Sequence, residues 1–385
     1  MKKVPWLSLA VVALMVSAAP AAQSTLIHVS SIDLGNDFNG TSGYGDNPLS
    51  IAFDGTAAYV GGLRNTSDSP DTVGVVKVEG LFGGPTTITP MPLTLISGVA
   101  VTRGLDSLAY SPGALIMHHD SGSTATGFIS RRSPLDGAEA WTILGPQGAR
   151  PLGAVGIDPV GNNGAPGVAY LVQGSGRRRL LSLADGSNVY DGTNGGIINT
   201  SPTVFGTSWR GVAFDSEGNI ALSEDSGYGY GQRIGVNQWQ SLGGVPNATS
   251  SSIAKDVAAN LVGQGIAILE DLGSDLLAVS GRNMNTFTDL NGDLTFVDRT
   301  RVHIRNLDGS VAGLTQVELA GDEDGIGLPW TGTIKNLAFG LDAGGLPTLL
   351  VLDFEGRRLD VYQIPEPASL ALLALGGAAL LRRRR

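Results

Sequence analysis

The sequence predicts an all-β protein made of many short antiparallel strands, and three observations predict it. Fifty-six of the 385 residues are glycine, spread between short apolar runs as turns punctuate strands. One unit recurs: a small residue or glycine, a three- or four-residue apolar strand, a turn with Asp or Gly, and a second apolar strand ending in polar residues. The small residues at the centres of the first strands are Ala52, Ala109, Gly156, Ala213, Ala267 and Ala338, at spacings of 57, 47, 57, 54 and 71 residues. Six copies at that period suit the four-stranded sheets of a β-propeller, whose blades pack radially about a central channel. Small residues belong on the innermost strand because the blades crowd the axis there. A β-sandwich or β-helix of similar spacing is the competing architecture, and five or seven blades are the competing counts.

The copies follow in order along the chain. The first spans 49–61, with further strands expected at 72–78 and 91–96, and the second spans 106–117. The third pairs 153–158 with 167–172. The fourth is the clearest, reading Val-Ala-Phe-Asp-Ser-Glu-Gly-Asn-Ile from Val212 to Ile220. The fifth joins 265–269 to 275–279 and the sixth joins 336–339 to 347–352. The fourth copy resembles the V-A-F-D-x-x-G-N-I pattern of NHL and gluconolactonase-type propeller blades. That motif is short and loose, so the resemblance implies a fold and not an activity. Segments 25–29 and 359–364 also have strand character. Paired in one blade, they would latch the ring shut.

The two ends of the chain are built differently from its body. Lys2-Lys3, an uncharged run from Val4 to Val16 and the small residues Ala19-Pro20-Ala21 form a secretory signal peptide over residues 1–21. The other end reads Pro365-Glu366-Pro367, then uncharged residues from Ala368 to Leu381, then Arg382, Arg383, Arg384 and Arg385. As a helix that apolar run spans about 21 Å, against roughly 30 Å of bilayer hydrocarbon, and the arginines can snorkel to the cytoplasmic side. The tail over 365–385 resembles the PEP-CTERM signal of Gram-negative bacteria in its three parts and their order. The resemblance implies export by the Sec translocon and signal peptidase, and transient membrane anchoring through the C-terminal helix. It then implies cleavage near Pro-Glu-Pro by an exosortase, an integral-membrane cysteine protease, and release to the envelope or the outside.

Between these ends lies the predicted propeller domain, residues 22–364. Without Lys2, Lys3, Glu366 and the four terminal arginines it holds 19 basic and 34 acidic residues, a net charge of −15. That balance argues against nucleic acid or anionic lipid as a partner. The absence of cysteine rules out disulfides, thiolate metal sites and a cysteine nucleophile. Four histidines leave few general bases, and no G-x-S-x-G elbow occurs, so no catalytic residue is assigned.

Two places can carry ligand chemistry. In each blade the start of the first strand and the end of the second share one face of the ring. Those positions collect Arg64, Arg103, Asp106, His118, His119, Asp120, Arg210, Glu224, Asp225, Arg282, Lys335, Asp353 and Glu355. This polar ring is either a water-facing rim or a site at the channel mouth for a sugar, phosphate or metal ion. Neighbouring His118 and His119 point to opposite faces of a strand, which hinders their sharing one ion. The metal candidate is Asp289-Leu-Asn291-Gly-Asp293, with Asp298 as a later ligand. It resembles the D-x-N-x-D start of EF-hand and dockerin loops and implies Ca²⁺. It departs from them at Leu294 and Thr300, and an Asx-rich turn without an ion explains the same residues. The leading function is a non-enzymatic surface propeller associated with exopolysaccharide. A Ca²⁺-dependent propeller hydrolase of gluconolactonase or phytase-like type is the alternative.

Overall fold

The computed structural model describes residues 26–39, 44–63, 74–91, 95–96, 99–100, 104–120, 127–144, 153–162, 164–172, 178–192, 209–224, 227–235, 238–241, 265–270, 275–280, 285–288, 294–297, 301–307, 317–318, 334–354 and 356–364. The expected signal peptide and the tail beyond Ile364 lie outside them. Apart from two small hairpins, their strands form six four-stranded antiparallel blades, the first two joined into one eight-stranded sheet by the pairing of Leu63 with Gly104. From the axis outward, blade 1 holds Asn47–Phe53, Ala58–Leu63, Val75–Glu79 and Thr87–Met91. Blade 2 holds Gly104–Ser111, Ala114–Asp120, Gly127–Arg132 and Glu139–Leu144. Blade 3 holds Gly153–Asn162, Ala165–Val172, Arg178–Ser182 and Asn188–Gly192. Blade 4 holds Trp209–Phe214, Ile220–Glu224, Gly227–Gly235 and Gln238–Ser241.

Blade 5 holds Ile266–Leu269, Leu276–Ser280, Arg301–Asn306 and Val317–Glu318. A hairpin of Asn285–Thr288 and Leu294–Val297 is inserted between its second and third strands, which accounts for the longest repeat interval. Blade 6 joins Ile334–Leu341, Pro347–Asp353 and Arg358–Gln363 from the C-terminal side to Ile27–Asp33 from the N-terminal side. The clasp predicted at the two ends is therefore present. Ile27 lies opposite Gln363 and Asp33 opposite Arg358, and Ser31 Oγ donates to Asp360 Oδ1 at 2.6 Å.

Six blades follow from the packing as well as from the strand order. Each inner strand packs on the inner strands of the blades to either side, blade 6 on blade 1 included. The core divides into six apolar clusters, one per interface between neighbouring blades. Strand alternation builds them. In blade 5, Ile266 and Ile268 face blade 4 while Ala267 and Leu269 face blade 6. The inner strands are thus buried on both sides, so they read as unbroken apolar runs. Each fully buried Leu, Ile or Val in these layers contributes about 1.5–3 kcal/mol relative to exposure.

One strand placement is corrected. The fourth strand of blade 1 is Thr87–Met91, whereas Leu95–Ile96 pairs with Val99–Ala100 in a separate small hairpin. The cause is a tight turn at Gly80–Gly84, where Gly80 and Gly83 take φ of 79° and 86°. These left-handed values suit glycine and send the chain back at once. The apolar character of 91–96 did not reveal that turn.

Candidate functional site

The sequence assigns a polar ring to one end of the propeller, and the structure shows where its residues stand. At the strand-start end, Gly104 lies opposite Asp120, Trp209 opposite Glu224 and Ile334 opposite Asp353. Asp120, Arg210, Glu224 and Lys335 take their expected backbone places there. Arg64, Arg103, Asp225, Arg282 and Glu355 lie outside the described residues. Burial puts His118, His119 and Asp353 inside the packing instead of on an open rim. Asp353 Oδ1 accepts from Gly356 N at 2.9 Å, which shapes the turn leading into the third strand of blade 6.

The two histidines point apart. His118 faces blade 3, with Nδ1 at 3.4 Å from Asp106 Oδ2 and Nε2 at 3.4 Å from Tyr170 Oη. His119 faces the other way and stacks on Phe128, the ring centroids 5.6 Å apart. Neither imidazole reaches solvent. Burial, then the neighbouring His118, lowers the pKa of His119 to about 4, so it is held neutral. Burial, then the charge of Asp106, pushes the Tyr170 hydroxyl upward.

The opposite end carries the turns between first and second strands, and the aspartates of the repeat cap them. Asp54 Oδ1 accepts from Thr56 N and Ala57 N at 2.7 and 2.6 Å, and Oδ2 accepts from Tyr59 Oη. Asp215 repeats the arrangement with Glu217 N, Asn219 N and Tyr230 Oη. Burial alone would raise Asp54, but the bonds from Ala57, Thr56 and Tyr59 outweigh it and lower the pKa. In blade 3, Asp158 caps Val160 and Gly161 and also meets Arg233 of blade 4. These carboxylates hold turns and join blades.

The axial cavity, of about 310 Å³, opens at this end. All six small residues predicted for the inner strands line it, together with the residues on either side of them. Gly156 shows why they are small: a Cβ there would sit 3.0 Å from Val212 Cγ1 and 3.2 Å from Phe214 Cε2. The residue after the small one is aromatic in four blades, giving Phe53, Tyr110, Phe214 and Phe339. All four are only partly buried. Glu270 is the one charged side chain among the lining residues. Its Oε1 accepts from Ser216 N at 2.8 Å and Ser216 Oγ at 2.6 Å, tying blade 5 to the blade 4 turn. Sequence reasoning missed this set, although it stands one position after each small residue of the repeat.

The proposed Ca²⁺ ligands Asp289, Asn291, Asp293 and Asp298 lie outside the described residues, next to the paired strands of the inserted hairpin. Among the described residues no group of three or more His, Asp or Glu side chains is placed to hold a metal ion.

Comparison with known proteins bears on the tail. No curated protein matches the sequence. Among solved structures, the PQQ-bound aldose sugar dehydrogenase of Streptomyces coelicolor is 16% identical, with 90% of this chain and 100% of that chain covered and a TM-score of 0.45. The Cps50 (Swd1) β-propeller domain of Myceliophteria thermophila is 10% identical over 88% and 100% of the two chains, with a TM-score of 0.45. The allergen Mala s 1 of Malassezia sympodialis is 11% identical over 90% and 97%, with a TM-score of 0.46. At such identities and scores these likenesses transfer neither ligand nor activity. The tail is specific where they are not: residues 363–385 match the PEP-CTERM protein-sorting motif, so this six-bladed β-propeller carries an exosortase-type sorting signal at its C-terminus.

Proposed function

We propose that the chain is an exported propeller that works at the cell surface or outside the cell as a non-enzymatic binding or structural protein, in association with exopolysaccharide or another surface component. The observation that carries this reading is the wall of the axial cavity. It presents hydrocarbon and aromatic side chains with a single carboxylate, Glu270. A hydrolase needs a nucleophile or activated water beside a base. The two histidines of blade 2 are enclosed between blades, far from that role. In this reading the Sec translocon and signal peptidase deliver the body, residues 368–381 anchor it transiently, and exosortase cuts near Pro365–Pro367.

Two measurements test it. Purified mature protein is screened against the host's extracellular polysaccharide and against lactones and phosphoesters with Ca²⁺ present. Retention on the polysaccharide without turnover is the expected result, and saturable turnover of a lactone or phosphoester refutes the non-enzymatic role. Mass spectrometry of the surface-released form is expected to find a C-terminus that lacks Arg385; its retention refutes the processing.

A further inference from the structure

The mouth of the axial cavity combines features that select one kind of ligand. Phe53, Tyr110, Phe214 and Phe339 line it from the inner strands of blades 1, 2, 4 and 6, and Glu270 is its one charge. Both bonds from Ser216 go to Glu270 Oε1. Oε2 is left to meet a ligand. The neighbouring inner turns add the carboxylates Asp54, Asp158, Asp215 and Asp342 on the same face, of which Asp158 is paired with Arg233. A cleft dominated by one sign of charge concentrates the opposite sign.

These features exclude other ligands in turn. An anion is repelled. A hydrated Ca²⁺ wants six to eight oxygens, and one carboxylate in a hydrocarbon wall cannot supply them. A free sugar needs many hydrogen-bond partners, and the side chains here offer two hydroxyls, of Tyr110 and of Ser216 (which already donates to Glu270), and one carboxylate. An ammonium group wrapped in methyl or methylene carbons fits on every count. Its charge meets Glu270, its carbons meet the aromatic and aliphatic wall, and aromatic rings attract such cations. About 310 Å³ is at the lower end of small-molecule pockets.

We propose that the turn-side mouth of the channel binds a small alkylammonium cation, with Glu270 as its counter-charge and Phe53, Tyr110, Phe214 and Phe339 as its walls. This goes beyond the surface-binding role and does not depend on it. The test is calorimetric titration of the mature protein with choline and with the uncharged tert-butyl isostere of choline. Choline is expected to bind at least about tenfold more tightly, the difference a single charge contact of about 1.4 kcal/mol makes. Glu270→Gln keeps an oxygen for the two Ser216 bonds and removes the charge, so it should weaken choline by a similar factor without lowering the melting temperature. Tyr110→Leu should also weaken choline severalfold while leaving the fold intact. Equal binding of choline and its isostere, absence of choline binding, or full affinity in Glu270→Gln each overturns the assignment. A polysaccharide retained equally by the wild-type protein and Glu270→Gln, with no choline binding, would leave the surface role standing and sink this site alone.

Discussion

Arg233→Ala should be among the most damaging single changes in the ring. The guanidinium donates from Nη1 to Asp158 Oδ1 and Oδ2 at 2.9 and 2.8 Å, and from Nη2 to Gly161 O at 2.6 Å. It also lies over Trp239, 5.5 Å from the ring centroid, and Trp239 Nε1 in turn donates to Gly218 O. The Arg233 side chain is 10% exposed and Asp158 is fully buried. Truncation leaves the Asp158 carboxylate enclosed with its two turn N–H bonds but without its counter-charge. Removing one partner of a buried pair costs about 3–5 kcal/mol. At the roughly 2 °C per kcal/mol expected of a large domain, the melting temperature should fall by about 6–10 °C. Ile234→Ala is the control, because that neighbouring side chain is half exposed. Replacing both partners, as Asp158→Asn with Arg233→Met, should recover most of the loss, since exchanging a whole buried pair for neutral groups is often close to neutral. Thermal melting followed by circular dichroism reads all four proteins. If Arg233→Ala melts with the Ile234→Ala control, or the double variant is as damaged as the single, then the pair does not join blades 3 and 4 as argued.

Three further outcomes are expected. His119 has a folded-state pKa of about 4 against an ordinary 6.5, so the unfolded chain binds the extra proton and stability should fall as pH drops from 6.5 to 4. The loss is about 3 kcal/mol, and His119→Leu should remove that part of the acid sensitivity in pH-dependent melts. Asp360 works in the opposite sense. Burial raises its pKa above 3.8 despite Arg358 and the Ser31 bond, so its contribution is complete below 3.8 and is lost as pH rises through the folded value. Asp360→Asn should therefore flatten the stability decline on the alkaline side of 3.8, and an unchanged profile would rule this out. For the proposed Ca²⁺ loop, free ion at a hundred times its dissociation constant should add about 2.7 kcal/mol. Asp293→Ala should abolish the rise in melting temperature, and identical curves in chelator and excess Ca²⁺ would reduce the loop to a turn.

How much of this was legible in the sequence depends on how local each cause is. The blade count could be read from Ala52, Ala109, Gly156, Ala213, Ala267 and Ala338 because axial crowding acts on every copy at the same position. The clasp could be read because both partners have strand character at the two ends of the body. The Arg233–Asp158 pair could not be read, since its members stand 75 residues apart and meet only when two blades pack. For the same reason His118 and His119 read as rim residues: Tyr170 and Phe128, which enclose them, come from other strands. The aromatic mouth was overlooked because an aromatic residue beside an apolar strand is indistinguishable from core until the axis is known.

The clasp has a consequence for the order of events during export. Ile27, near the start of the described residues, pairs with Gln363, and Ile364 N donates to Pro347 O. The sorting motif match begins at Gln363, so two residues belong to the last blade and to the signal at once. Only Pro365 to Pro367 then separate the ring from the apolar run, a leash of about 10 Å when fully stretched. In the proposed export route, translocation is all but finished before the ring can close, and a closed ring then stands against the bilayer with the proposed cut near Pro365–Pro367 in its own shadow. Cutting it loose requires a protease that works flush with the membrane surface, or one that arrives before the final strand has docked.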